Sequence, residues 1–374
     1  MNSSSASSKI KVGVVGARGY SGQELCRLLT QHSGIELAAI FYNEGKPFTL
    51  WNQFPEIERL AKALKVAEPK SLDLGSFLAS SEKLDVVFLA TPNEVSLELA
   101  EKFLNRGISV IDLSGIFRLN QVEPGVSQSL YQKFYGIEHS HPKALKQAHY
   151  GLHPFNGKTI SALKSGAPFL VANPGCYVTS VLMAVIPLLK QGLIDPKSII
   201  VDAKSGASGA GKKANENLLF SELYSDFYPY KVLQHQHVPE MEMYLDVFSE
   251  KGSKVVFTPH LLPVFRGILS TCYLKWSPTV QGLSVEEKKA RLRKAYLAAY
   301  ENYPLVEFGD MKEMQKKISV KAIASTSLTA IGYDLDSDNL IVFSALDNLL
   351  KGAASQAVEN LNCIYGFPQS ESLL

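Results

Sequence analysis

The run "KIKVGVVGARGYSGQELCRLLTQH", residues 9–32, constrains the fold more than any other part of the chain. A short Val/Ile-rich segment passes through closely spaced glycines into a segment whose apolar residues recur at helical spacing. That order predicts strand, tight turn and helix in succession. The alternation then repeats: "IELAAIFYN" and "LDVVFLATP" read as buried strands, "EVSLELAEKFLNRG" as a helix and "SVIDLSG" as a further strand. Strands alternating with helices build a parallel, doubly wound sheet, so this part of the chain is expected to be α/β.

A chain of 374 residues exceeds the usual single core, which points to two domains. Residues 120–166 read as loop-rich, with scattered Gly, Pro and His, and lead into a strand-like "APFLVAN". The expected division is a first domain over 9–170 and a second over 171–347. "SIIVDAKSG", "KVVFTPHLLP", "GILSTCYLKW" and "LIVFSALDN" supply strands to the second domain against fewer helices, which makes it α+β. The closing stretch, 348–366, has a helical apolar face and is expected to return to the first domain.

Lys and Arg total 38 against 36 Asp and Glu, with no basic block, so nothing calls for nucleic acid or an anionic membrane surface; a small molecule is the expected partner. The polar start "MNSSSASSK" lacks a signal-peptide core, and its first eight residues are expected to be disordered. No run reaches the roughly 18 apolar residues of a bilayer span. Cys26, Cys176, Cys272 and Cys363 lie far apart, which fits reduced thiols in the cytoplasm better than a disulfide or zinc framework.

Glycines at 13, 16, 19 and 22 give G-x-x-G-x-x-G from Gly16 instead of the usual dinucleotide G-x-G-x-x-G. The physical requirement is still met, because residues without a Cβ let the backbone approach a pyrophosphate at the start of the following helix. A Rossmann-type dinucleotide-binding domain is therefore expected. At the end of the second strand Glu44 suits a free ribose 2′-hydroxyl and Lys46 a 2′-phosphate, so the two point opposite ways. "ATPNEVS", residues 90–96, is placed to edge the same crevice.

In "ANPGCYVTS", Cys176 stands at the start of an apolar helical run, where the positive end of the macrodipole favours a thiolate and unpaired N–H groups could hold an oxyanion. A thiol nucleophile needs a base, and "LQHQHVPEME" offers His235 and His237. An H-x-H pair can also bind metal, but no third ligand has suitable spacing, so no metal is expected. His139, His141, His149 and His153 form a second cluster. Arg118 in "DLSGIFRL" and Arg266 in "PVFRGILST" are suited to phosphate or carboxylate. "KSGASGAGKK" reads as an anion-binding loop or a flexible one.

These motifs, with "DNLLKGAASQAVENLN" near the end, occur together in an order that resembles the N-acetyl-gamma-glutamyl-phosphate reductase family of arginine biosynthesis, from about residue 9 to 362. The resemblance implies a second domain of the semialdehyde dehydrogenase type and a homo-oligomer, dimer or tetramer. It implies that Cys176 forms a thioester with N-acetyl-glutamyl 5-phosphate, that NADP(H) is the hydride carrier, and that His235 is the acid/base with His237 nearby. Arg118, Arg266, Ser114 and Asn173 become substrate-side candidates. Gly16, Arg18, Gly19, Tyr20, Ser21, Gly22, Thr91, Pro92, Ser205, Gly206, Asn348 and Gly352 become cofactor-side ones. Competing readings are an N-acetyl-aminoadipyl-phosphate reductase of lysine biosynthesis, a Cys-His hydrolase and a non-catalytic dinucleotide sensor.

Overall fold

The computed structural model describes residues 9–43, 47–249 and 252–374. The N-terminal eight residues and the two ribose-side candidates, Glu44 and Lys46, lie outside that set. Strands β1 (Ile10–Val15), β2 (Ile35–Tyr42), β3 (Lys70–Asp73), β4 (Val86–Leu89), β5 (Ser109–Asp112), β6 (Ala148–Tyr150) and β7 (Leu170–Ala172) form one sheet in the order β3-β2-β1-β4-β5-β7-β6. Every pairing in it is parallel. Both faces are covered, which is why β1 and β4 are apolar runs without alternation. The chain runs outward from β1 through β2 and β3, then returns to pair β4 on the other side of β1. A crevice opens at that switch point, beyond the carboxyl ends of β1 and β4.

Residues 120–166 are more ordered than their composition suggests, with helices Pro124–Tyr135 and Pro142–Gln147 and the edge strand β6. Pro at the first helical position and Gly136 in the left-handed conformation after the last are helix punctuation, not loop signals. The expected boundary at 170/171 falls inside β7, which belongs to the first sheet.

The second sheet is mixed and runs β12-β13-β14-β11-β8-β10-β9. Its strands are β8 (Ile199–Gly206), β9 (Tyr228–Pro229), β10 (Val255–Leu262), β11 (Ile268–Leu274), β12 (Val306–Asp310), β13 (Thr329–Leu335) and β14 (Leu340–Leu346). β8 and β10 alternate buried with exposed or half-buried residues, as expected when only one face is fully packed.

Six helices frame the site: α1 (Tyr20–Thr30), α2 (Asn93–Asn105), α3 (Cys176–Lys190), α4 (His237–Asp246), α5 (Val285–Tyr300) and α6 (Ser355–Tyr365). Every residue of α3 from Tyr177 to Leu189 is buried, so this helix is apolar all round and forms the central core element. Each fully buried Leu, Ile or Val contributes about 1.5–3 kcal/mol, which holds the α3 N-terminus, and Cys176 with it, in a rigid frame.

The closing segment enters through a π-helical turn, Leu350–Ala354, and α6 then packs on α1, where His32 Nε2 meets Asn362 Oδ1 at 2.8 Å. α6 is polar but buried, and several of its groups are paired within the protein. Lys351 Nζ reaches Glu359 and the Tyr303 hydroxyl at 2.5 Å each, and Asn360 donates to Gly151 O at 3.0 Å. No described helix is long and apolar enough to cross a membrane.

Candidate active site

The glycine turn packs as tightly as its sequence implies. Gly16 has φ +86°, and a Cβ there would overlap the carbonyl of Ala90; a Cβ on Gly22 would overlap the carbonyl of Gly16. The turn closes through the Gly19 N–H to Gly16 O at 3.0 Å. α1 begins at a glycine N-cap with no side-chain cap, so the N–H groups of its first turn are left for an anion.

A cavity of about 530 Å³ runs from this turn along β2 and α2, lined by Gly16, Arg18, Thr91 and Pro92 among others. Arg18 lies 4.2 Å over the Phe48 ring, and Thr91 pairs with the Ser96 hydroxyl at 2.8 Å. A second cavity of about 720 Å³ begins at Gly19, Tyr20 and Ser21 and reaches Cys176. This arrangement fits a dinucleotide, with one end in each cavity.

The second cavity is floored by the turn that presents Cys176. Glu240, fully buried on α4, accepts from the Gly175 N–H at 3.0 Å and from the Tyr150 hydroxyl at 2.8 Å. Its other oxygen lies 3.4 Å from Arg118 Nη1. Arg118 also donates to Asn173 O at 2.7 Å and Leu113 O at 2.8 Å, so one buried ion pair grips both sides of the Asn-Pro-Gly turn. Gly352 closes the site from behind, where a Cβ would come within 2.7 Å of Cys176 Cβ. The π-helical turn sets that approach.

Burial pushes the Cys176 thiol up to about 11, outweighing the Arg118 charge and the Tyr177 N–H that pull the other way. The helix-start effect therefore does not outweigh burial. His235 is pulled down to about 3 by burial and by the Lys231 charge, and burial with neighbouring cations holds His237 well below its usual range. Both rings are neutral.

The His235 Nδ1 accepts the His237 N–H at 3.2 Å, which leaves the ring proton on Nε2. His237 Nδ1 has no partner among the described residues, and its Nε2 edge rests, with Arg118 Nη1, against Gly175. Both expected acid/base candidates, His235 and His237, thus line the cavity that holds Cys176.

Of the other candidates, Ser205, Gly206, Asn348 and Gly352 line the second cavity. Asn348 braces it by donating to Ser208 Oγ at 3.0 Å and accepting from the Gly267 N–H at 2.7 Å. Three substrate-side candidates, Ser114, Asn173 and Arg266, line neither cavity. Ser114 donates to Asp112 at 2.6 Å, and Asn173 is occupied by Ala353 O and Asn360. Arg266 is held by Glu24 at 2.6 Å and Asp347 at 2.5 Å, which makes it a tie between α1 and the closing segment.

The histidines of 139–153 do not converge. His139 packs on Phe117 and Tyr131, His141 pairs with Glu101 at 2.8 Å, and His153 is buried beside Pro154. Among the described residues no group of three or more His, Cys, Asp or Glu is arranged to hold a metal. Cys26 and Cys272 are buried core residues. Glu240 and Tyr150 were not singled out from sequence. The available signal was spacing, because Glu240 lies three residues after His237 and so on the same helix face.

A cysteine at a buried helix start, a neutral histidine pair and a dinucleotide crevice sharing one cavity define a thiol-dependent, nicotinamide-linked dehydrogenase. Residues 11–163 match the semialdehyde dehydrogenase NAD binding domain, and residues 176–348 match the semialdehyde dehydrogenase dimerisation domain. Aspartate semialdehyde dehydrogenase II of Vibrio cholerae superposes with a TM-score of 0.68 at 15% identity, over 96% of this chain and 99% of that one.

Among named relatives, N-acetyl-gamma-glutamyl-phosphate reductase of Geobacter metallireducens is 38% identical over 97% of this chain and 98% of its own. That of Magnetococcus marinus is 37% identical over 97% of each. The chain belongs to the N-acetyl-gamma-glutamyl-phosphate reductase family.

Proposed function

We propose that this protein reduces N-acetyl-L-glutamyl 5-phosphate to N-acetyl-L-glutamate 5-semialdehyde and phosphate, using NADPH, as a step of arginine biosynthesis in the cytoplasm. The observation that carries the reading is the shared cavity in which Cys176, His237, Arg118 and the start of α1 meet. Cys176 Sγ attacks the acyl carbon, forming a C–S bond as the C–O bond to phosphate breaks, and the thiol proton passes to His237. Arg118 neutralises the departing phosphate. N–H groups of the first turn of α3 hold the oxyanion, and His235 turns its Nε2–H toward the same oxygen.

NADPH, when bound, supplies the hydride; the turn at Gly16, Gly19 and Gly22 would hold its pyrophosphate, and Arg18, Thr91 and Pro92 would border its adenosine end. His237 then returns its proton as the aldehyde leaves and the Cys176–carbon bond breaks. We place the first domain from residue 9 to the end of β7 at Ala172, completed by 348–366, and the second from there to 347, forming a homo-oligomer, dimer or tetramer.

The test is NADP reduction in the reverse direction, with inorganic phosphate and either N-acetyl-glutamate 5-semialdehyde or the homologue one methylene longer. One methylene is worth about 1–3 kcal/mol in a fitted pocket, so a preference of about 10-fold or more for the shorter aldehyde is expected. Faster use of the longer aldehyde would move the assignment to N-acetyl-aminoadipyl-phosphate reduction.

A further inference from the structure

Among the described residues lining the large cavity are three cations, Arg118, Lys212 and Lys231, and no Asp or Glu. Its lining is therefore suited to an anion at more than one point. Two of the cations have clear positions. Arg118 abuts Gly175 beside the nucleophile, where phosphate must leave, and Lys212 lies 5.0 Å over the ring of Tyr20 at the start of α1, on the cofactor side. Arg266, the other arginine expected to take an anion, is neutralised by Glu24 and Asp347.

Lys231 remains. It sits between β9 and α4 on the histidine side of the cavity, and its side chain is exposed. Its backbone is in the left-handed region at φ +44°, a cost for a residue with a Cβ and one that persists where the position is functional. Nζ has a neutral partner, Gln236 Oε1 at 3.2 Å, and among the described residues it makes no ion pair with a carboxylate. The neighbouring Tyr230 bonds the Tyr177 hydroxyl at 3.3 Å and lies against the His235 ring, which brings this segment to the nucleophile's side.

We propose that Lys231 binds the α-carboxylate of the acyl substrate and so selects an N-acylated amino acid over a plain acyl chain. The assignment rests on the function proposed above. In that substrate four bonds separate the reacting carbon from the carboxylate carbon. The second anion therefore falls a short side-chain length from Cys176, within the same cavity that Lys231 lines.

The test compares two aldehydes in the reverse assay, N-acetyl-glutamate 5-semialdehyde and 4-acetamidobutanal, which is the same molecule without its carboxylate. A charge-assisted hydrogen bond lost at this site corresponds to about 10- to 100-fold in KM. Wild-type enzyme should favour the carboxylate-bearing aldehyde by about that factor in kcat/KM. Lys231→Met should bring the ratio to within about threefold of unity through a raised KM, with little effect on the KM for phosphate. Lys231→Arg should restore most of the preference, and Lys212→Met should keep it while raising the KM for NADP. A Lys231→Met enzyme with undiminished preference overturns the assignment and leaves the reaction standing. Wild-type enzyme that uses neither aldehyde overturns both.

Discussion

Replacing Glu240 by Gln tests whether the buried ion pair under the nucleophile holds the turn. The amide keeps the shape of the carboxylate, and its oxygen can still accept from Tyr150 and from the Gly175 N–H, now at 2.8 and 3.0 Å. Its NH₂ then faces Arg118 Nη1, donor against donor, where a carboxylate oxygen stood at 3.4 Å. Breaking a buried ion pair by removing one partner costs about 3–5 kcal/mol. Arg118 retains its two carbonyl acceptors at 2.7 and 2.8 Å, which places the expected loss near the lower end, about 3 kcal/mol. With an m-value of about 3 kcal/mol/M, the urea midpoint should fall by about 1 M.

A second readout has the opposite sign. Glu240 raises the Cys176 thiol and Arg118 lowers it, so the variant's thiol should ionise at lower pH and alkylate faster near pH 9 even as turnover drops. A merely destabilised enzyme would lose both together. An unchanged midpoint with an unchanged alkylation profile would refute the role given to Glu240.

Three further outcomes are expected. Cys176→Ser should lower turnover by at least about 10³-fold, because a serine hydroxyl is a far weaker nucleophile without a dedicated base, while NADP binding measured by fluorescence persists; a variant with full activity would exclude the thioester. Gly16→Ala must place a Cβ against the Ala90 carbonyl at φ +86°, so the dissociation constant for NADP should rise about 10-fold or more; unchanged binding would mean that the turn is not the pyrophosphate site. His235 and His237 are neutral in the fold but take up protons near pH 6.5 when unfolded, so their stabilising effect is full above that pH and declines as pH falls toward the depressed folded values. Between pH 7.5 and 5.5 that is about 1.4 kcal/mol per ring, near 3 kcal/mol together, and a double His→Gln variant should flatten the dependence of urea midpoint on pH.

What could be read from sequence here was backbone pattern and residue type; what could not was partnership. The β1 turn and the helix start at Cys176 are local features, carried by Gly16, Gly19 and Gly22 and by Asn-Pro-Gly, so their geometry follows from a dozen neighbouring residues. Arg266 and Asn173 have the right chemistry for a substrate site, and the structure pairs them with Glu24 and Asn360, 242 and 187 residues away along the chain. Glu240 was hidden for the converse reason: a carboxylate three residues after a histidine looks like solvated charge until β6 brings Tyr150 onto it. The loop-rich reading of 120–166 failed because Pro and Gly mark helix ends as well as loops.

The same electrostatics explain why a buried thiol near 11, His235 near 3 and His237 held well below its usual range are compatible with catalysis. Burial and the positive charge of Lys231 disfavour protonated imidazole, and burial disfavours the thiolate. A substrate carrying phosphate and carboxylate reverses the first condition. One negative charge about 5 Å from an imidazole, at an effective dielectric near 20, is worth about 3 kcal/mol, or more than two pKa units toward protonation. Anionic substrate thus makes His237 a better base at the moment a base is required, while Arg118 remains beside the sulfur to stabilise the thiolate it produces. The ligand that Cys176 is built to attack is also the one that raises the basicity of its partner.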